Sequence, residues 1–286
     1  MVYDCFIFFN ELDLLELRLN ELDKVVDKFV LVEADKTFQN QSKPYYFEEN
    51  KHRFEKFSGK IIHIKLNKYP RFNKLFNPFS PWKLESYQRN AMVEGLKDCK
   101  PDDVVLFTDV DEIPSSTVIT DFKKNKVNQI CGLKMHMFMY FFNNQVTFSE
   151  GSKMTVEESK NGLWHCGSIM PYILLKKSPQ KYRRAIMRTK RKGEVYKIIS
   201  NAGWHFTYLG GVEKILEKLE AFSHTEYNNV DFKDKTKIAR SLEEGNDLFG
   251  RNISYQIIKK ESELLPNYLL TNEAQRKFAK HFYSLK

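Results

Sequence analysis

The stretch Val104-Val105-Leu106-Phe107-Thr108-Asp109-Val110-Asp111-Glu112-Ile113-Pro114 carries three carboxylates out of an apolar run and stops on a proline. The run suits a strand buried on both faces, and in an open α/β sheet ligands collect beyond the carboxyl ends of such strands. Asp109 and Asp111 are two apart. On extended backbone they project to one side, where hard oxygen ligands can share a divalent cation carrying a diphosphate. The pattern predicts a metal-dependent sugar-nucleotide site. A solvated acidic turn is the competing reading of Asp-x-Asp alone; the apolar lead-in, the third acid Glu112 and the stop at Pro114 favour the site.

Working outward, strand-like and helix-like patterns alternate ahead of this stretch. Cys5-Phe6-Ile7-Phe8-Phe9 reads as a strand, and Leu12, Leu15, Leu19 and Leu22 follow at helical spacing. Phe29-Val30-Leu31-Val32 and Ile61-Ile62-His63-Ile64 read as two more strands, and residues 84–96 as a helix feeding the acidic strand. Such alternation predicts an α/β fold, a mostly parallel Rossmann-like sheet covered by helices. The polar, proline-rich stretch 68–81 reads as a surface loop. Beyond Pro114, residues 131–142 and 169–176 read as strands extending the same sheet. Asn201 to Gly211 then leads into a helix through Ile215, Leu216, Leu219 and Phe222, and 231–286 reads as helical pieces broken at Gly245, Gly250 and Pro266. One domain is expected, with 1–114 binding the nucleotide sugar, 115–230 serving acceptor and catalysis, and 231–286 forming a helical extension.

The 286 residues, 42% hydrophobic and 14% aromatic, can bury a sizeable core. No segment reaches the ~20 apolar residues of a membrane span, and the N-terminus lacks the pattern of a signal peptide. A cytoplasmic location is expected, with peripheral contact at the inner membrane face. Cys5, Cys99, Cys131 and Cys166 are widely spaced and form no Cys-x-x-Cys pair, so reduced, buried thiols are expected. Much of the net charge of +9 sits between Lys176 and Lys197, where Lys181, Arg183, Arg184, Arg188, Lys190, Arg191, Lys192 and Lys197 face the single acid Glu194. Such a segment attracts anions. It lacks the aromatic interleaving of a nucleic-acid platform, so no nucleic-acid partner is expected; an anionic membrane surface or a phosphorylated lipid-linked acceptor fits better.

Several ordered motifs together resemble glycosyltransferase family 17. They are Asp4 to Leu19, Phe29-Val30-Leu31-Val32-Glu33-Ala34 with Thr37-Phe38, Gln88-Arg89-Asn90, Asp109 to Pro114, and Gly203-Trp204-His205. The resemblance implies a GT-A type, Rossmann-like mixed sheet flanked by helices, a UDP-sugar donor such as UDP-N-acetylglucosamine, and a divalent metal, Mn²⁺ or Mg²⁺. It also implies transfer of the sugar with a β linkage to a carbohydrate. The chain looks more like compact microbial or viral members than the membrane-anchored animal ones, so an oligosaccharide, a polysaccharide or a lipid-linked glycan is the expected acceptor.

The resemblance also assigns roles. Asp111 is the first expected metal ligand; Asp109 binds the metal or the donor's ribose or sugar hydroxyls, and Glu112 orients the metal-bound groups. His205 in the shared Gly-Trp-His motif is the expected further ligand, with His224 as competitor. Inverting transfer needs one general base, for which Glu213 ranks first and Glu150 second; an acid such as Glu213 also suits the first turn of any helix. Asn10 and Glu33, at the ends of the first two strands, are expected near the uridine. Arg89 either neutralises the diphosphate or pairs with Glu85 four residues earlier on one helix face. Trp204 either stacks on a sugar or fills the core. Two other classes compete. A nucleotidyltransferase acting on sugar phosphates would use a similar sheet, but Asn10-Glu11-Leu12 stands where a glycine-rich phosphate loop is wanted. A basic nucleic-acid or membrane-binding module would rest on the Lys176 to Lys197 segment alone.

Overall fold

Side chains of strand β1 (Val2–Phe8) alternate between two apolar layers, and so do those of β2 (Lys28–Ala34). Phe6, Phe8, Phe29 and Leu31 join one layer, while Cys5, Ile7, Val30 and Val32 join the other. A period of two with apolar residues on both faces requires cover on both sides. Helix α1 (Leu12–Leu22) supplies it on the first face through Leu15, Leu19 and Leu22. On the second, helix α3 (Pro81–Asn90) runs into a tighter turn, Ala91–Leu96, that buries Met92 and Leu96. The short helix α2 (Tyr46–Asn50) lies between β2 and β3 (Ile61–Leu66). The computed structural model describes residues 1–71, 78–148, 162–187, 196–251 and 253–283, without the side chains of 148 and 184–187.

With β4 (Val104–Asp109), these strands form a parallel set ordered β3-β2-β1-β4. The chain steps outward from β1 to β2 and β3, then returns to place β4 on the other side of β1. Strand order reverses there, and the reversal opens a crevice beyond the carboxyl ends of β1 and β4. Ile7 stands opposite Asp109 in register, so the acidic loop leaves the sheet at the mouth of that crevice.

The same sheet continues through antiparallel pairs. Strand β8 (Leu163–Pro171) pairs with β4, β6 (Cys131–Met139) with β8, β7 (Asn144–Phe148) with β6, and β11 (Ile253–Ile257) with β7. Strand β10 (Gly203–Thr207) runs parallel to β6 and antiparallel to the short β5 (Glu112–Pro114), while β9 (Lys197–Ile199) lies parallel to the start of β6. The fold is therefore α/β, a GT-A type Rossmann-like mixed sheet flanked by helices. Gly203 makes the β10–β5 contact possible. Its φ is 144°, and a Cβ there would lie 2.1 Å from the Ile113 carbonyl oxygen, so the Gly-Trp-His motif needs its glycine to bring His205 beside the acidic loop.

Some boundaries differ from the sequence reading. Strand β6 stops at Met139 because Tyr140 takes a left-handed φ of 69°. Strand β8 starts at Leu163 and ends at Pro171, ahead of a 3-10 turn at Tyr172–Leu174. Strand β11 falls in a tail read as helical; its pairing to β7 joins residues more than a hundred positions apart. All four cysteines are free, and Cys5, Cys131 and Cys166 are buried. Among the described residues, no helix is long and apolar enough to cross a membrane.

Candidate active site

A cavity of about 750 Å³ lies in the crevice, with Phe8, Phe9 and Thr37 on the side of β1 and β2 and the acidic loop in its floor. Its volume falls in the range of small-molecule sites. Strands β6 and β10 and the helix Gly211–Ala221 supply the opposite wall through Met137, His205, Thr207 and Lys218.

Arg18 fixes the floor from beneath. It comes from α1, is fully buried, and grips Asp4 of β1 through Nε at 2.7 Å and Nη2 at 2.5 Å. Its remaining donors reach Thr108 Oγ1 at 2.6 Å and the carbonyl oxygens of Asp109, Val110 and Glu112 at 3.0, 3.3 and 2.6 Å. A planar guanidinium can satisfy so many acceptors at once; an ammonium cannot. Above it the loop closes on itself, because the Asp109 backbone N–H donates to Glu112 Oε2 at 3.0 Å.

The three acids of the loop meet three cations. Arg89 makes a two-pronged contact with Asp109, Nε to Oδ1 at 3.0 Å and Nη2 to Oδ2 at 2.6 Å, and also holds Glu85. Of the two alternatives expected for Arg89, the ion pair with Glu85 within α3 is present, and the same guanidinium also reaches the acidic loop at Asp109. Arg183 grips Glu112 through two bonds of 2.8 Å and lies 3.1 Å from Asp109. Lys218 donates to Asp111 Oδ2 at 2.9 Å, and His205 Nε2 lies 3.8 Å from the same oxygen. Burial alone would raise the pKa of Asp109 and Asp111, but the cations outweigh it: Lys218 and His205 hold Asp111 far below the usual carboxylate value, and Arg183 with Arg89 depress Asp109. In return, Asp111 and Glu11 hold Lys218 above the ordinary lysine value despite its burial. The site is thus built for permanent charges of both signs.

Of the expected metal ligands, the structure brings together Asp111 and His205. Asp109 is turned to the two arginines. His224 lines the same cavity at its aromatic end, stacked on Phe222 with ring centroids 5.6 Å apart, and its Nδ1 is bonded to Glu226 at 2.6 Å. Among the described residues, no group of three or more His, Cys, Asp or Glu is arranged to hold a metal ion.

The other expected residues divide. Glu213 is 71% exposed, pairs with Lys235 at 2.8 Å and lines neither this cavity nor its neighbour, so it is not brought to the acidic loop. Its place in the first turn of a helix turns it to solvent. Glu150 lies outside the described residues, as does the stretch 188–195 of the basic segment. Glu33 is fully buried behind the cavity, accepting from the Phe47 N–H at 2.9 Å and bonded to His63 Nε2 at 3.0 Å. Asn10 opens on an adjoining cavity and donates to Glu217 at 2.6 Å. Trp204 is a core residue whose indole N–H donates to the Leu264 carbonyl at 2.6 Å. Four site residues had no role in the sequence reading: Glu11, Arg18, Arg183 and Lys218. Arg18 and Glu11 lay within a quoted motif, and Arg183 within the basic run, but only folding aims them at one point.

Glycosyltransferase family 17 matches residues 1–165 of the chain. The human and rat proteins named beta-1,4-mannosyl-glycoprotein 4-beta-N-acetylglucosaminyltransferase are each 32% identical to it over 112 residues, a match covering 37% of this chain and 20% of each relative. Among solved structures, glucosyl-3-phosphoglycerate synthase from Mycobacterium tuberculosis, in complex with Mn²⁺, UDP and phosphoglyceric acid, aligns over 95% of this chain and 91% of its own at 11% identity and a TM-score of 0.39. The inositol-1-phosphate CTP transferase of T. maritima covers 70% of this chain and 85% of its own at 12% identity and a TM-score of 0.38. The family match takes in β1, α1, β2, α3 and the acidic loop, the parts that build the floor of the cavity, and the chain belongs to glycosyltransferase family 17.

Proposed function

We propose that this glycosyltransferase moves N-acetylglucosamine from UDP to a hydroxyl of a carbohydrate acceptor, with inversion and a β linkage, in a metal-dependent reaction. The observation that carries the reading is the convergence of Arg89, Arg183 and Lys218 on Asp109, Asp111 and Glu112 at the point where strand order reverses. The choice of sugar is supported by the activity in the names of the human and rat relatives.

Asp111 and His205 fit a divalent ion as a partial ligand set: a carboxylate oxygen and a ring nitrogen 3.8 Å apart and open to the cavity. Two protein ligands would leave the rest of the coordination shell to the donor and to water, as suits Mg²⁺ or Mn²⁺. When bound, the metal supplies positive charge to the leaving diphosphate. Lys218 now holds the Asp111 oxygen such an ion would take, and on releasing it the ammonium can turn to the phosphates. Arg89 and Arg183 keep Asp109 and Glu112 in place while adding positive field. Phe9, Thr37 and Phe38, just beyond the ends of β1 and β2, line the cavity and would offer the nucleoside a wall.

The test is a panel of UDP-sugars assayed for UDP release with Mn²⁺, with Mg²⁺ and with excess chelator. UDP-N-acetylglucosamine with Mn²⁺ or Mg²⁺ is expected to give the highest rate, and chelator to abolish it. Full rate in chelator would remove the metal from the mechanism. Absence of UDP release from every UDP-sugar would overturn the donor class.

A further inference from the structure

Five carboxylates line the cavity, and four of them are committed to cations. Glu85 pairs with Arg89, Asp109 with Arg89 and Arg183, Glu112 with Arg183, and Asp111 with Lys218. Glu11 is the exception among the described residues. Its Oε2 accepts the backbone N–H groups of Phe9 at 3.1 Å and Asn10 at 3.0 Å, and among the described residues its Oε1 has no hydrogen-bond partner.

Glu11 immediately precedes α1, a position where an acid is often no more than a helix stabiliser. Here the carboxylate makes no capping bond to that helix and folds back over the end of β1 instead. A second cavity of about 460 Å³ adjoins the first, and Glu11 lines both, with Tyr208 and Lys218 also shared. A group in that wall can be reached by a donor from one side and an acceptor from the other.

We infer that Glu11 is the general base of the transfer, an assignment that rests on the reading of an inverting UDP-sugar transferase given above. The acceptor oxygen bonds to C1 of the sugar, the C1–O bond to the β-phosphate breaks with its electron pair leaving on UDP, and the acceptor's proton passes to Glu11 Oε1. No further reactant is needed. Burial raises the Glu11 pKa above the ordinary glutamate value, with Lys218 opposing, and a carboxylate raised in this way is a stronger base.

The test compares wild type, Glu11→Gln and Asp111→Asn. The glutamine keeps an oxygen for the Phe9 and Asn10 N–H groups. Calorimetry with UDP and Mn²⁺ should show Glu11→Gln within about twofold of wild type, since a base acts on chemistry and leaves donor binding intact. Sugar transfer from UDP-N-acetylglucosamine to water, followed in single turnovers, should fall by roughly 10²-fold or more. Azide, an anion that needs no deprotonation, should restore donor consumption in Glu11→Gln by forming the glycosyl azide. Near-wild-type turnover, loss of UDP affinity, or a deficit that azide leaves in place would each overturn the assignment, returning Glu11 to a structural or donor-holding role. Asp111→Asn is expected to lose metal-dependent UDP binding and to gain nothing from azide. A wild type that neither binds UDP nor releases it from any UDP-sugar would overturn the proposed function, and the role of Glu11 with it.

Discussion

Arg18 shows how much of the site hangs on one side chain that takes no part in the chemistry. Its guanidinium is buried against Asp4 and holds three carbonyl groups of the acidic loop, those of Asp109, Val110 and Glu112. Removing one member of a buried ion pair leaves the other charged and unsolvated, at a cost of about 3–5 kcal/mol. Arg18→Met is therefore expected to lower unfolding stability by about that amount in urea titrations. Arg18→Lys should keep part of the stability, because the charge remains, yet still lose turnover, because an ammonium cannot serve Asp4 and the loop carbonyls together. Turnover in Arg18→Lys equal to wild type would show that the loop holds its shape without the fork. At this scale the closeness of Asp111 and His205 was legible because each stands in a short motif with a chemical rationale. Glu213 misled because an acid in a first helical turn satisfies the dipole equally well when it faces solvent, and it is 71% exposed. Trp204 took the plainer of its two readings, core over sugar platform, because its indole N–H is used by Leu264.

Among the elements, α1 does two jobs. Its interior buries leucines against the sheet, while Asp13 in its first turn is bonded to His281 at 2.7 Å, Arg53 at 2.5 Å and Lys280 at 3.2 Å. The bond to His281 and the Arg53 charge hold the Asp13 carboxyl well below its ordinary range, against the opposing effect of burial. A carboxyl depressed in the folded state stabilises above its unfolded pKa of about 3.9, and the contribution is lost as pH falls through the folded value. Asp13→Asn should therefore melt below wild type at pH 7, with the gap closing as pH drops below about 4. A gap in melting temperature that stays constant across this range would mean that the stabilisation is not electrostatic. The βα units of the first half were readable because their pattern is local, with period two in β1 and β2 and leucines at helical spacing in α1. Strand β11 was not, since Ile253–Ile257 is short, half exposed, and made a strand by its pairing to β7.

Across the whole molecule, the last described residues belong to the core rather than to an appendage. Leu265, Leu269, Phe278 and Phe282 are buried in the cluster that contains Phe6, Leu15 and Phe29. The Asn143 side chain clamps this segment at both ends, donating to the Ile258 and Tyr283 carbonyls at 3.2 and 3.0 Å and accepting the Tyr283 N–H at 2.8 Å. Four such side chains, at roughly 1.5–3 kcal/mol each, approach the whole of a typical net stability of roughly 5–15 kcal/mol. A chain ending at Ile258 is expected to lose cooperative thermal unfolding by circular dichroism; a sharp transition near the wild-type temperature would show that the core closes without the segment. The sequence by itself determined the α/β class, the crevice at the end of β4 and the acidic pair beside Gly-Trp-His, because periodicity and short motifs are properties of neighbouring residues. Only the tertiary structure decided which charges meet. Arg18, Arg89, Arg183 and Lys218 come from four separate helices, and Lys218, the cation whose charge reaches Glu11, spends its hydrogen bonds on Asp111 and Thr207, so that among the described residues Glu11 is paired with none of them. Ion pairing depends on distance through space, and spacing along the chain does not carry that distance.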